Sequence, residues 1–264
     1  MSAELSAQNL TRYYRSHGFR RRRRVVPALQ DVSLTVASGD SIGLVGSSGA
    51  GKSTLLRCLL ALERPEAGAV AFNGRPVAPG PAASLRWYRQ LVQYVPQNPA
   101  GSLDPRMNVR SLLLEPLRQL GIAGDHHGMI HRALERVELT SSLLDSRPRE
   151  LSGGQNQRVA IARALVPSPS ILLADEPVSG LDLPLRNTVL TVLEQLVTRD
   201  GLGLLFVSHD LGAVARLCSR TVVLSAGRVV EQGPTAALLD AAQHPDTREL
   251  IASIPRLSRT GGSR

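Results

Sequence analysis

The sequence predicts an α/β fold: a mainly parallel sheet covered by helices, with a helical lobe inserted into it. Three observations carry that expectation. Short apolar runs at Ser41–Val45, Leu91–Val95, Ile171–Ala174, Leu204–Ser208 and Thr221–Leu224 are separated by helix-like stretches, the alternation that parallel sheets produce. Strand character disappears between about Asn98 and Arg149, where helical patterning takes over. The chain has 264 residues, 42% of them hydrophobic, enough to bury one large domain or a domain with an added lobe.

Taken in order, residues 3–10 and 28–36 read as short strands joined by an Arg-rich connection, Arg20–Arg24. Ser41–Val45 runs into a glycine-rich turn, Gly46–Gly51, and then a helix, Lys52–Leu62. Gly68–Asn73 alternates like a strand and ends at Asn73-Gly74, a tight-turn pair. Pro76–Ala83 has the composition of a surface loop, and Leu91–Val95 follows as a strand. Val109–Leu120 and Met129–Leu139 are helix-like, separated by a polar loop containing His126-His127. Those two adjacent histidines, with no further ligand nearby in sequence, make a poor metal site. A helix at Gln155–Leu165 precedes the last three strands. There is no internal repeat, and only the Arg run and the final Ser/Gly/Arg tail are compositionally biased.

No run approaches the roughly 18 apolar residues of a membrane-spanning helix, and the N-terminus lacks the pattern of a secretory signal. A cytoplasmic protein is expected. Cys58 and Cys218 make neither a disulfide framework nor a metal cluster and are read as packing residues. The net charge is +9 and the pI about 10.8, which fits phosphate-rich partners or an anionic membrane surface. Nucleic acid is not expected as a partner, because neither aromatic interleaving nor a recognisable module accompanies the charge. The Arg20–Arg24 run reads as a solvated loop, with contact to anionic lipid as the functional alternative. Lys52 is the only lysine in the chain. A composition that uses arginine everywhere else keeps a compact ammonium at one position, and that position lies in the main motif.

Gly46-Ser47-Ser48-Gly49-Ala50-Gly51-Lys52-Ser53, followed by Thr54, matches the full phosphate-loop pattern G-x-x-x-x-G-K-[ST] between a strand and a helix. The glycines let the backbone turn so that successive N–H groups face phosphate oxygens, and the helix adds its positive N-terminal end. Lys52 is expected to reach the β- and γ-phosphates of a nucleoside triphosphate and Ser53 to ligate Mg²⁺. Ile171–Ala174 ends in Asp175-Glu176, carboxylates at the strand end where open sheets place their ligands. Asp175 is the candidate Mg²⁺ carboxylate and Glu176 the candidate general base for an attacking water.

Leu151-Ser152-Gly153-Gly154-Gln155 narrows the choice among phosphate-loop proteins. With the phosphate loop, the Asp-Glu pair and the downstream His209, it resembles the ATP-binding domain of ABC transporters along nearly the whole chain. Ser152 and its two glycines form a second bare-backbone helix start suited to phosphate. The resemblance implies that two such domains pack head to tail, each signature loop covering the ATP held by the other. It further implies roles for Gln97, as the glutamine that contacts Mg²⁺ and the attacking water, for His209, at the γ-phosphate, and for Asp182, in communication across the dimer. Gly180 stands where alanine is commoner. Tyr14, in preference to Tyr13, is the candidate for stacking on adenine.

The resemblance implies an ABC ATPase core with an N-terminal antiparallel β subdomain. The expected division is a core of about 1–97 and 166–240, a helical signature lobe of about 98–165 and a tail of 241–264. Asn98-Pro99 through Asp104-Pro105-Arg106-Met107, and His244-Pro245 through Leu250 with Ile254-Pro255, resemble the oligopeptide/dipeptide/nickel import group. Implied partners are a second ATPase subunit (a heterodimer rather than a homodimer), two membrane permeases and, indirectly, an extracytoplasmic solute-binding protein. The implied location is the cytoplasmic face of the inner membrane. DNA-repair and translation ATPases of the family have long inserts or two cassettes per chain, which this chain lacks. An accessory ATPase of a cytoplasmic complex, such as one for phosphonate breakdown, is the alternative. Cargo is not encoded here: peptide, nickel, metal chelate and opine are all candidates.

Overall fold

A computed structural model describes residues 2–16 and 24–252. Most of the Arg20–Arg24 run, and Ile254-Pro255 with the tail beyond, lie outside the described residues.

The chain opens with two long strands, β1 (Glu4–Ser16) and β2 (Arg24–Ala37), paired antiparallel along their length. They extend well past the short apolar runs seen in sequence, because cross-strand pairing carries the polar residues along. Next come β3 (Ser41–Val45), α1 (Lys52–Leu59), β4 (Ala67–Phe72) and β5 (Arg75–Val77). Helix α1 stops three residues short of the expected Leu62, and Ala61 beyond it takes a left-handed φ of 52°. The turn between β4 and β5 has positive φ at both Asn73 and Gly74, as a two-residue hairpin requires. Pro76 and Val77, expected to open the Pro76–Ala83 loop, pair with β4 instead, together with Arg75. Strands β2, β1, β4 and β5 form one four-stranded antiparallel sheet in that order.

A short helix, α2 (Arg86–Leu91), was not legible in the sequence and displaces the start of β6 (Val92–Val95) by one residue. Then follow α3 (Val109–Leu120) and α4 (His126–Arg136). Helix α4 starts three residues before the expected Met129. Asp125 caps it by accepting from the Gly128 N–H at 2.9 Å, so His126 and His127 lie in the first helical turn rather than in a loop. Helix α5 (Gly153–Leu165) leads to β7 (Ile171–Asp175), α6 (Leu183–Thr198), β8 (Gly203–Val207), α7 (Leu211–Leu217) and β9 (Arg220–Ser225). The chain closes with β10 (Arg228–Pro234), α8 (Thr235–Asp240) and α9 (Pro245–Ala252).

The second sheet has the order β10-β9-β3-β8-β7-β6. Its neighbours from β9 to β6 run parallel, and β10 returns antiparallel on β9. Successive side chains on a strand face opposite sides, and the core divides accordingly. Leu172, Ala174, Leu204 and Phe206 pack with the buried faces of α3 to α7. Ile171, Leu173, Leu205 and Val207 pack with α1 and the antiparallel sheet. The central sheet is therefore covered on both faces, which is why its strands read as unbroken apolar runs. Glycines permit close approaches between these layers. At Gly203, a side chain would run into the carbonyl oxygen of Ala37 at the end of β2.

Candidate nucleotide site

The phosphate loop leaves the C-terminal end of buried β3 and enters α1 through Gly46, Gly49 and Gly51, with φ of 157°, 80° and 110°. Gly49 and Gly51 occupy left-handed backbone that favours glycine. A side chain at Gly46 would meet the carbonyl oxygen of Leu224, and one at Gly51 that of Ala28. The loop is braced from outside: the Gly227 N–H donates to Ala50 O at 2.9 Å, and the Gln30 N–H to Gly227 O at 2.7 Å. Its geometry is thus fixed before any ligand arrives. Helix α1 has no side-chain cap, so its first N–H groups remain available to an anion. The Lys52 ammonium donates to Gly46 O at 2.6 Å and Ser47 O at 3.0 Å, folded back over the loop. Burial lowers its pKa, while the charges of Glu176 and Asp175 act the other way.

Across the same pocket, β7 and β8 deliver three further groups. Asp175 ends β7 half-buried, and burial raises its pKa. Its Oδ2 accepts from the Tyr94 hydroxyl at 3.2 Å, which favours the carboxylate. Glu176 turns out of the strand at φ 47°, a left-handed value costly for a residue with a side chain. Its N–H is held by Val207 O at 2.8 Å. Its two carboxylate oxygens meet different partners, with His209 Nδ1 3.1 Å from Oε1 and Gln97 Nε2 donating to Oε2 at 3.3 Å. Gln97 and His209, from two separate loops, converge on the Glu176 carboxylate, carried by a third.

Tyr14 also lines this pocket, with Val26, Pro27 and the loop from Gly46 to Thr54. Its hydroxyl donates to Glu63 at 2.7 Å and lies 3.3 Å from Thr54 Oγ1, and the Arg12 guanidinium carbon is 5.4 Å from its ring centre. Tyr13 is 40% exposed and does not line the pocket, which favours Tyr14 of the two. Leu250 of α9 contributes to the opposite rim, and Asp246 of the same helix accepts from the Ser225 hydroxyl. Neither Tyr94 nor α9 was foreseen from the sequence. Nothing in a Gln-Tyr-Val run distinguishes a tyrosine that supports a carboxylate two strand positions away.

The residues of the second phosphate-suited helix start do not join the pocket. Ser152 caps α5: its hydroxyl accepts from the Gln155 N–H at 3.2 Å, and the Gln155 side chain accepts from the Ser152 N–H at 2.8 Å. Gly153 has open space around it. Asp182 caps α6 by accepting from the Leu185 N–H at 2.9 Å. These two helix starts meet each other, since a side chain at Gly154 would come within 2.7 Å of Leu185 Cδ1. Ser152–Gln155 and Asp182 thus lie together and line none of the pocket that holds Lys52 and Glu176.

Ser53, Gln97 and Asp175 line a continuous cleft and offer a hydroxyl, an amide oxygen and a carboxylate. Such hard oxygen donors suit Mg²⁺, which keeps few protein ligands and completes its octahedron with water and phosphate. Consistently, no group of three or more His, Cys, Asp or Glu side chains arranged for a metal occurs among the described residues.

Comparison with known proteins gives a consistent result. Residues 29–179 match the family model described as ABC transporter. A Brucella ovis chain, named provisionally as a peptide import ATP-binding protein, is 40% identical over 253 residues, covering 95% of this chain and 78% of that one. The nickel import ATP-binding protein NikE of Rhodospirillum rubrum is 40% identical over 256 residues, covering 96% and 92%. Among solved structures, a dimeric ATP-binding cassette in a post-hydrolysis state, with ADP and Pi bound, superposes with a TM-score of 0.74. It is 29% identical and covers 88% of this chain and 98% of that one.

Proposed function

This chain is an ATPase of the ABC transporter family, and from that premise we propose that it powers uptake of a small solute through separate membrane permeases. The observation that carries the mechanism is the convergence of Gln97 and His209 on the Glu176 carboxylate, opposite Lys52 in one pocket. In this reading the Gly46–Thr54 loop cradles the triphosphate and Tyr14 stacks on the adenine. Lys52 exchanges the carbonyls of Gly46 and Ser47 for β- and γ-phosphate oxygens. Ser53, Asp175 and Gln97 would hold Mg²⁺, which when bound neutralises charge on the phosphates.

Glu176 then takes the proton of a water attacking the γ-phosphorus while the bond from that phosphorus to the β-phosphate oxygen breaks and ADP leaves, and His209 steadies the γ-phosphate. Each oxygen of the Glu176 carboxylate has one polar neighbour, Gln97 or His209, and keeps a second lone pair for the proton of the water. A second cassette supplies the trigger: its Ser152–Gln155 segment closes over the γ-phosphate, while Asp182 speaks across the interface. One chain cannot do this for itself, because its own signature segment lines none of its own pocket. The mechanism is mostly positioning and charge stabilisation.

No helix among the described residues is long and apolar enough to cross a membrane, so transport needs other subunits. We place the protein at the cytoplasmic face of the inner membrane. There it would pair with a similar ATPase subunit and two permeases, fed by an extracytoplasmic binding protein. The core and helical lobe would divide near residues 97 and 166. Relatives named for peptide and nickel import support a cargo of that kind, and they favour transport over an accessory role in a cytoplasmic enzyme complex. Native purification tests the proposal: co-purifying permeases are expected, whereas a stable complex with soluble enzyme subunits alone would overturn it.

A further inference from the structure

Outside the ATP pocket, helix α4 carries a pair of ligating side chains that the proposed mechanism does not use. His127 and His131 stand four residues apart on its outer surface, with Nε2 atoms 3.1 Å apart and ring centres 4.1 Å apart. This i, i+4 spacing puts both side chains on one face, one turn above the other. We propose that His127 and His131 form a surface site for one borderline divalent metal ion: Cu²⁺, Ni²⁺ or Zn²⁺.

An ion bonded to two imidazole nitrogens at about 2.0–2.1 Å, with an angle of roughly 90–110° between them, holds those nitrogens about 2.9–3.4 Å apart. The observed 3.1 Å lies inside that window. The ring centres, 4.1 Å apart, separate to roughly 4.5–5.3 Å in such a chelate, which a small rotation about the side-chain torsions supplies. Without metal, the same separation leaves two imidazoles sharing one N–H···N contact. A cation replaces that contact with two bonds and cross-links successive turns of the helix. Neighbouring charges are mixed. The Asp125 carboxylate at the helix start and Glu135, one turn beyond His131, favour a cation, while Arg132 opposes it. Water would complete the coordination, since among the described residues no third His, Cys, Asp or Glu joins the pair.

Imidazole pairs follow the order of first-row affinities that peaks at copper and leave Mg²⁺ and Ca²⁺ unbound. This distinguishes the site chemically from the oxygen-lined ATP pocket. The adjacent His126 is not part of it, because its Nε2 lies 2.6 Å from Ile122 O. The sequence alone pointed the other way, because the pair His126-His127 is the wrong pair. The helix selects His127 and His131.

The test uses the full chain freed of any affinity tag and titrated with Ni²⁺ in millimolar Mg²⁺, followed by calorimetry. One tight equivalent is expected. His127→Ala and His131→Ala should each weaken it by about 10- to 100-fold or more, a range typical even for losing a supporting group at a metal site. His126→Ala should leave it unchanged. Retention of wild-type affinity by either His127→Ala or His131→Ala overturns the proposal, as does competition by Mg²⁺. In the unmodified protein, Ni²⁺ should also protect His127 and His131, and not His126, from diethylpyrocarbonate. Equal labelling with and without Ni²⁺ would sink the assignment even if a variant failed to fold.

Discussion

Glu176 carries the strained backbone of the site, with φ at 47°, its N–H tied to β8 and a polar neighbour at each carboxylate oxygen. Replacement by Gln keeps the shape and removes the base. Phosphate release should fall by about 10²- to 10⁴-fold while nucleotide binding persists. Parallel phosphate-release and nucleotide-binding assays check this, and undiminished turnover would exclude Glu176 as base. Asp175 makes a different prediction. Its carboxyl is raised by burial and by the neighbouring Glu176, against help from Tyr94. A folded-state pKa above the unfolded one means that the folded chain holds the proton longer. Stability therefore declines as pH rises from the unfolded pKa through the folded one, and the deficit persists at neutral pH. Asp175→Asn should raise the melting temperature of the nucleotide-free protein at pH 7, with little effect below the ordinary carboxylate range, while abolishing Mg²⁺-dependent hydrolysis. A lower melting temperature at pH 7 would contradict this reading.

Among the elements, α5 is the most exposed to test, because Ser152 serves first as its cap. Ser152→Ala should cost about 1 kcal/mol of stability, measured by urea unfolding. Ser152→Asp keeps a capping oxygen and should stay within a few tenths of a kcal/mol of the parent. In the proposed dimer it places a negative charge against the partner's γ-phosphate, so ATP-driven association should be lost although the fold is sound. Equal association by both variants would show that the segment does not face phosphate. Strand β8 offers a purely structural test. A methyl at Gly203 would run into Ala37 O and come within 2.5 Å of Ile171 Cδ1, wedging the two sheets apart. Gly203→Ala should destabilise by about 1–3 kcal/mol, again by urea unfolding.

For the whole molecule, the proposed mechanism rests on Ser152–Gln155 lining none of its own chain's Lys52 pocket, so that a second cassette must supply it. ATP should drive Glu176→Gln protein to double its mass in light scattering, alone or with its cognate ATPase subunit. EDTA should prevent this by removing Mg²⁺. A monomer under every one of these conditions would refute the shared-site reading. The +9 net charge is compatible with a protein that holds polyphosphate and works beside an anionic membrane.

The local chemistry of this protein was legible in its sequence. A phosphate loop is a contiguous string, because a strand end, a glycine turn and a helix start are consecutive by nature. The same holds for the Asp175-Glu176 strand end and for Ser152–Gln155. The buried parallel strands were visible for the related reason that burial on both faces makes a strand apolar throughout. Tertiary structure alone decided what depends on register and on the meeting of distant elements. Parallel pairing of β6 with β7 sets Tyr94 beside Leu173, two residues from Asp175, and so brings a hydroxyl to that carboxylate. The length of β1 carries Tyr14 rather than Tyr13 into the pocket. These choices are made by hydrogen-bond register and side-chain direction, which link residues far apart in the chain and leave no local pattern to read.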